Sequence, residues 1–254
     1  MSTARVFTGL VVAGTLALVA GSFRPVEAQE LQPIYPAYDG FIKNPDGTYT
    51  IAFAYFSHNS KVVTVAPGAD NSFAPAPNDR MQPTSFKPGH WRFQCVMVVP
   101  SDFDGKLSWN LSYAGNKTGT SQSMLQSNWF LVEGAEELSK IDYATALKGV
   151  CLNRPPVVRV LGAIRREREE VLGVVGTAGA QESLFGSVND EGLPRGSSLN
   201  ASWKQISGPG TVKFEDATKA RTHVVYPAAG AYVIELTGTD GEFTATRRIT
   251  VNVK

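Results

Sequence analysis

Apolar and polar residues alternate along most of this chain, which is the pattern of half-buried β-strands. In the first half, three segments rich in aromatic and β-branched residues predict strands: Thr48–Phe56, Trp91–Val99 and Lys106–Tyr113. The turn sequence Asn44-Pro45-Asp46-Gly47 precedes the first of them. It predicts a hairpin whose other arm begins near Tyr38.

Two stretches of the first half depart from this pattern. Pro67–Pro88 carries repeated Pro and Gly with little apolar periodicity, so we predict a long ordered loop there. Ala135–Leu138 and Tyr143–Leu147 have helix-forming composition, and Asn153–Pro156 reads as an extended stop. We therefore predict an N-terminal β-rich module over residues 29–133 and a linker with a short helix over residues 134–156.

The second half alternates more cleanly, at the strand spacing of an immunoglobulin-like sandwich over residues 157–254. Mixed charges at Arg165–Glu170 indicate a solvated edge or a short turn. The predicted strands are Val157–Leu161, Ser183–Val188, Leu199–Ile206, Val212–Phe214, His223–Tyr226, Ala231–Thr237 and Thr244–Val253.

Three motifs in this half carry a family resemblance. Gly186–Pro194, Trp203–Gly210 and Gly230–Glu242 together resemble a PKD domain of the kind found in bacterial secreted proteins. The sequence departs from that pattern at Gly238, where such domains commonly carry a small apolar residue, and at the charge run Arg165–Glu170. The resemblance implies an immunoglobulin-like fold and a role in adhesion, protein contact or carbohydrate display.

Two aromatic residues of these motifs have expected structural roles. Trp203 is predicted to fill the core between the two sheets. Tyr232 occupies the position where such sandwiches place a corner tyrosine. The N-terminal half resembles an uncharacterised module of exported bacterial proteins, which implies no activity.

The first residues predict the compartment. Arg5 precedes the apolar run Val6–Ala20, and Val26-Glu27-Ala28 offers a signal-peptidase site, so residues 1–28 read as a signal peptide. The alternative is an uncleaved anchor, but about fifteen apolar residues fall short of the roughly twenty that span a bilayer. We therefore expect an exported protein, periplasmic or extracellular, with no transmembrane span after cleavage. The predicted fold class is all-β, with two tandem β-sandwich modules of immunoglobulin type after the signal peptide.

The net charge bears on the class of partner, and the cysteine content bears on a possible disulfide. With 24 Lys and Arg against 23 Asp and Glu, the net charge is +1, so no global field favours nucleic acid. Cys95 and Cys151 are the two cysteines. In an oxidising compartment they are candidates for one structural disulfide, and two unpaired thiols are the alternative.

No motif for catalysis or for a cofactor is present. His58, His90 and His223 are the histidines, and none lies beside a nucleophile motif or at zinc-ligand spacing. Calcium is the metal that the loop carboxylates would suit, although such residues also serve as ordinary turn formers. The carboxylates concerned are Asp39, Asp46, Asp70, Asp79, Asp190, Glu191, Asp240 and Glu242.

Aromatic residues offer the best binding hypothesis. Phe73, Phe86 and Trp91 lie in or beside the Pro67–Pro88 loop and form the predicted interaction surface. We therefore predict a non-enzymatic interaction or adhesion module of the cell envelope or medium, with a PKD-like spacer and a protein or polysaccharide partner. The alternatives are an accessory carbohydrate-binding protein and an enzyme with an unrecognised site in the N-terminal module.

Overall fold

The computed structural model describes residues 31–120, 123–131, 138, 141–162, 164–166, 169–175 and 177–254. The signal peptide predicted over residues 1–28 and most of the predicted helix at Ala135–Leu138 lie outside the described residues. Among the described residues, no helix is both long and apolar enough to cross a membrane.

Among the described residues, eight strands form the part that we call the first module. Strands β1, β2 and β6 form one antiparallel sheet in the order β1-β2-β6, and a second sheet has the order β4-β7-β8. The short strands β3 and β5 pair with each other. The bounds are β1 Ile34–Lys43, β2 Tyr49–Ser57, β3 Val63–Thr64, β4 Asn71–Ala74, β5 Ser85–Phe86, β6 Gly89–Val99, β7 Ser108–Tyr113 and β8 Asn116–Gly119.

Aromatic side chains fill the core between these two sheets. Phe53 of β2 packs edge-on against Phe73 of β4, with ring centroids 5.2 Å apart. Trp109 of β7 stacks on Phe73 at 5.9 Å, and its indole N–H donates to Asn71 Oδ1 at 2.9 Å. All three rings are fully buried, so this half is a small sandwich held by aromatic packing.

Two predictions for the first half are corrected. The stretch Pro67–Pro88 contains β4 and β5, which are too short to show alternation but bury their phenylalanines. Tyr143–Leu147 forms a turn, because Asp142 accepts hydrogen bonds from the Thr145 N–H and hydroxyl and Leu147 is 72% exposed. Without an apolar face to bury, helical composition alone does not stabilise so short a helix.

The other nine strands that the structure describes form what we call the second module. One sheet has the order β14-β15-β12-β9 and the other β10-β11-β17-β16-β13. The β11–β17 pair is parallel, while the other pairs are antiparallel. The bounds are β9 Val157–Val160, β10 Ile164–Arg166, β11 Glu169–Val175, β12 Gln181–Asn189, β13 Asn200–Ser207, β14 Lys213–Phe214, β15 Arg221–Val225, β16 Gly230–Thr239 and β17 Thr244–Val253.

The predicted scaffold residues lie where expected. Trp203 is buried between the sheets and donates its indole N–H to Ala220 O at 3.0 Å. The Tyr232 hydroxyl donates to Ala228 O at 2.9 Å, which is a tyrosine corner. Gly238 is explained by close approach of the sheets, because a Cβ there would lie 2.4 Å from Val188 Cγ1. The described residues of the charge run lie in β10 and β11, which pair antiparallel at the sheet edge.

The two cysteines lie in and beside the first module. Cys95 of β6 is joined to Cys151 by a disulfide with Cα atoms 4.8 Å apart. Backbone hydrogen bonds hold the second cysteine's segment there, from Cys151 N to Arg80 O and from Leu152 N to Val96 O. This segment leads directly into β9, so the bridge fixes the start of the second module against the first.

Candidate functional site

The loop that follows β12 inserts an apolar side chain into the first module. Leu193 is 1% exposed and belongs to the same hydrophobic cluster as Phe53, Phe73 and Trp109. Residues Leu31–Lys254 accordingly form one compact unit. We call the contact between the two modules the seam.

An arginine clamp lies two residues beyond this plug. The Arg195 guanidinium binds both carboxylate oxygens of Asp79 at 2.8 Å. It also donates to Gln82 O, at 3.2 Å from Nε and 2.8 Å from Nη2. The pKa of Asp79 is lowered, chiefly by the hydrogen bond from Arg195, so this fork holds an ionised carboxylate at neutral pH.

A second arginine closes the other side of the seam. Arg154 donates its backbone N–H to Glu191 Oε1 at 2.7 Å and its Nη2 to Glu191 Oε2 at 3.1 Å. The same Nη2 donates to Phe93 O in the first module. Burial raises the pKa of Glu191 to about 7, against the opposing effect of the guanidinium. Burial thus opposes the ionised form of Glu191, while the Arg154 guanidinium favours it.

Phe93 O, which accepts the hydrogen bond from Arg154, lies at an irregular point of the sheet of the first module. Phe93 has φ of 55°, a left-handed conformation that is uncommon for a bulky residue. Asp39, at a bulge of β1, accepts from Phe93 N at 2.7 Å and from Arg92 Nε at 2.9 Å. These bonds fix the bulged backbone whose carbonyl receives Arg154.

Two clefts flank Arg154. One has a volume of about 390 Å³, and the half-buried Lys87 lies beside it, with Nζ 4.8 Å from the Trp91 ring centroid and 3.3 Å from Asp190 O. Its lining includes Trp91, Arg92, Arg154, Arg159, Asn189 and Asp190. The other, of about 650 Å³, is mostly apolar and is lined in part by Ile141, Leu152, Pro155, Pro156, Val157 and Phe243.

The predicted interaction surface is wrong for two of its three residues. Phe73 and Phe86 are 0% exposed in the core of the first module, where they pack with Trp109. Only Trp91 is partly accessible, with its indole N–H bonded to Pro88 O at 2.9 Å. Phe73 and Phe86 lie near turns in the sequence, but both are core residues.

A different set of rings is exposed on the first module. Tyr35 of β1 and Phe56 of β2 are direct cross-strand partners and are 42% and 37% exposed. Phe56 is in turn paired with His90 of β6, and His58 packs edge-on against both Tyr35 and Phe56. We call Tyr35, Phe56, His58 and His90 the aromatic row, which crosses the outer face of the β1-β2-β6 sheet.

The three histidines lie on two separate surfaces, one on each module. His58 and His90 belong to the aromatic row, and His223 Nδ1 lies 2.6 Å from Glu215 Oε2 on the second module. Across the part of the chain that the structure describes, no three or more His, Cys, Asp or Glu residues are grouped to hold a metal ion.

Comparison with known families identifies a family for most of the second module. Residues 178–253 match the family model described as "K319L-like, PKD domain". These residues form a PKD domain. The match begins before β12 and ends within β17, and it includes all three motifs that carried the resemblance. A PKD domain indicates an interaction or adhesion module, and domains of this type are generally non-catalytic.

Several solved structures are similar to parts of the chain. The solution structure of the PKD domain from the KIAA 1837 protein has 20% identity, covers 32% of this chain and 78% of that one, and has a TM-score of 0.25. A chimeric titin Z1Z2 has 18% identity over 41% of this chain and 97% of that one, with a TM-score of 0.26. Drosophila N-cadherin EC1-3 has 8% identity over 83% and 78%, with a TM-score of 0.29.

Sequence reasoning missed the seam. The motif Gly186–Pro194 was used only as one of the three motifs that carry the PKD resemblance. One signal was present, because Leu193 is an apolar residue in a loop that is otherwise polar. Such a side chain needs a place to be buried, and the neighbouring module provides it.

Proposed function

We propose that this chain is an exported, non-catalytic interaction module of the cell envelope or the extracellular medium. In this proposal the PKD domain is a rigid spacer and the first module carries the recognition surface. The seam is the observation that carries it, because an apolar plug and two arginine clamps hold the modules in one orientation. Two modules fixed in this way present the recognition surface of the first module in one orientation relative to the PKD domain.

Two further features support export. The N-terminal sequence has the charged start, apolar run and small residues that a signal peptide requires. The Cys95–Cys151 disulfide is of the kind that persists in oxidising compartments. Measuring the mass of the protein recovered from its native host tests export, because cleavage after Ala28 leaves Gln29 as the first residue.

The aromatic row is the proposed recognition surface. Tyr35, Phe56 and His90 lie on strands of one sheet and His58 directly follows β2, so binding these rings costs little ordering entropy. Tagged protein would be used to capture partners from its native envelope and medium, followed by mass spectrometry. We expect a reproducible protein partner that is lost with the double variant Tyr35→Ala/Phe56→Ala.

The matched control for this experiment is Phe185→Ala. Phe185 is 50% exposed but belongs to the second module, so its removal takes away one exposed aromatic ring elsewhere. Capture that survives in the double variant would show that the partner binds another surface. Capture lost equally in the control would show non-specific apolar adhesion.

A second candidate function is polysaccharide binding, which the same row favours. Sugar rings stack their apolar faces on aromatic side chains, and a row across three strands would contact consecutive sugar units. Co-sedimentation with insoluble cell-wall polysaccharide would separate the two candidates. Retention of the wild-type chain, lost with Tyr35→Ala/Phe56→Ala and without any captured protein, would favour the carbohydrate reading.

A further inference from the structure

The smaller of the two clefts that flank Arg154 lies at the seam and is lined by polar side chains. Its volume of about 390 Å³ is in the size range of small-ligand sites. We call it the basic cleft. Its lining comes from β6 of the first module, from the segment that runs from Arg154 into β9, and from the loop after β12. A ligand in the basic cleft would therefore contact both modules.

Guanidinium groups dominate the charge of the basic cleft. Arg92, Arg154 and Arg159 line it, and the carboxylates in the lining are those of Asp190 and Glu191. Burial raises the pKa of Glu191 to about 7, so this carboxyl is only partly ionised at neutral pH. The lining therefore carries a net positive charge, which favours an anionic ligand.

The charges beside the lining leave this excess unchanged. Lys87 lies next to the cleft, with Nζ 4.8 Å from the centroid of the Trp91 ring. Asp39 binds Arg92, with 2.9 Å between Asp39 Oδ1 and Arg92 Nε. One positive and one negative charge are thus added, and the sum stays positive.

Arg154 has a hydrogen-bond donor that its partners at the seam do not use. Its Nη2 donates to Glu191 Oε2 and to Phe93 O, whereas its Nε is buried and has no acceptor among the described residues. A buried donor without an acceptor is costly. A carboxylate beside Arg154 would supply that acceptor through a charge-assisted hydrogen bond.

The other two guanidinium groups reach solvent. The Arg92 side chain is 48% exposed even with Asp39 bound to it. Arg159 is exposed on β9, where it alternates with the buried Val158 and Val160. Guanidinium groups bind carboxylates through two parallel hydrogen bonds, so both arginines suit an acidic ligand that enters from outside.

The uncharged groups of the basic cleft indicate a ligand that also carries hydroxyls. The Asn189 amide both donates and accepts hydrogen bonds, and the carboxylates in the lining accept from hydroxyls. Trp91 contributes part of its indole ring, which suits the apolar face of a sugar. Donors, acceptors and an aromatic ring in one cleft match the hydroxyls and the apolar face of a sugar unit.

A peptide strand fits this place less well, because the edge of β6 beside the cleft is already engaged. Val96 O accepts from Leu152 N at 2.8 Å. Phe93 O accepts from Arg154. Strand addition depends on backbone groups that are free to pair, so a ligand here must be recognised through its functional groups.

We propose that the basic cleft binds a uronic acid unit of an acidic polysaccharide. The carboxylate of the sugar would lie against the guanidinium groups, and its hydroxyls against Asn189 and the carboxylates. This site goes beyond the proposed function, because it is separate from the aromatic row except at His90, which borders both. It holds whether the row binds a protein or a polysaccharide.

The test is calorimetric titration of the full chain with trigalacturonic acid, and with its methyl ester as the matched neutral ligand. We expect one site per chain for the acid. The ester should bind at least about tenfold more weakly, because esterification removes the charge that the guanidinium groups bind. Equal binding of acid and ester, or no binding of the acid, would overturn the proposal.

Variants locate the site. Arg159→Gln should weaken binding of trigalacturonic acid about tenfold, and Arg159→Lys should weaken it less, because lysine keeps the charge but loses the fork. The matched control is Arg221→Gln, since Arg221 is an exposed arginine of β15 that is not in the lining. Should Arg159→Gln fail to fold, Arg159→Lys replaces it. Unchanged binding in the Arg159 variant, or an equal loss in the control, would contradict this location.

A triglutamate peptide with blocked ends separates the sugar from its charge, because it carries the same number of carboxylates without hydroxyls. It should bind at least about tenfold more weakly than trigalacturonic acid. Equal binding would show that the cleft recognises carboxylates alone, and the assignment to a uronic acid would be wrong.

The variant Tyr35→Ala/Phe56→Ala keeps the two tests apart. It should bind trigalacturonic acid as the wild type does, because neither residue lines the basic cleft. Loss of binding in this variant would place the acidic sugar on the aromatic row and overturn the assignment to the cleft. Failure of partner capture, in contrast, bears only on the proposed function.

Discussion

Two tyrosines in the PKD core, with ring centroids 4.9 Å apart, differ in their hydrogen bonding. The Tyr232 hydroxyl donates to Ala228 O at 2.9 Å and accepts from Ala228 N at 3.2 Å. The Tyr226 hydroxyl is buried without a partner. The pair therefore separates the effect of a satisfied hydroxyl from that of ring packing.

Tyr232→Phe should lower the free energy of unfolding by about 1–2 kcal/mol, because it leaves two backbone groups of Ala228 without a partner. Tyr226→Phe is the matched control and should change stability little or raise it slightly, since the lost hydroxyl makes no bond. Urea denaturation of both variants measures the difference. Equal losses would show that the tyrosine corner contributes nothing specific.

Gly238 offers a second test at the scale of one residue. Gly238→Ala would place a Cβ 2.4 Å from Val188 Cγ1, so the sheets must separate, and we expect a loss of about 1–3 kcal/mol. The double variant Val188→Ala/Gly238→Ala should recover part of that loss, because it removes the clashing methyl groups. Strict additivity in a double-mutant cycle would contradict the proposed contact.

The disulfide acts on whole elements, because it ties the middle of β6 to the segment that leads into β9. Replacing both Cys95 and Cys151 with Ala should lower the free energy of unfolding by about 3–4 kcal/mol, as expected for a loop of 56 residues. Chemical denaturation measures the loss, with reduced wild-type protein as the control. Reduction that leaves the transition unchanged would mean that the bridge carries no stability.

The sequence was informative about elements in proportion to their length. Strands β2, β6 and β17 have nine residues or more, which is long enough for apolar, aromatic and β-branched composition to identify them; β2 and β6 are buried along most of their length, and β17 alternates towards its end. Strands β4 and β5 have four and two residues, which is too few for a period to show. The helix predicted at Tyr143–Leu147 was wrong, because helix propensity is weak without an apolar stripe to bury.

At the scale of the whole molecule, the candidate site depended on contacts that local patterns do not contain. Arg195 binds Asp79, which is 116 positions away in the sequence. Neither residue differs in its own neighbourhood from an ordinary surface charge. The PKD motifs predicted the fold of the second module, but which of its loops meets the first module follows only from tertiary packing.

The seam should make the two modules unfold together. In the wild type we expect one cooperative transition by calorimetry, because Leu193 is part of the first module's core while its loop belongs to the second. Leu193→Ala should cost about 2–5 kcal/mol and separate the transition into two, since it removes the shared plug.

Arg195→Lys tests the clamp in the same experiment. Lysine keeps the charge but cannot form the two-pronged bond with Asp79, so we expect a smaller loss in the same direction. Leu184→Ala is the control, because Leu184 is as buried as Leu193 but lies within the PKD core alone. If Leu184→Ala separated the transitions as effectively as Leu193→Ala, general destabilisation would explain the result. If only the seam variants do so, rigidity between the modules resides in the loop that follows β12.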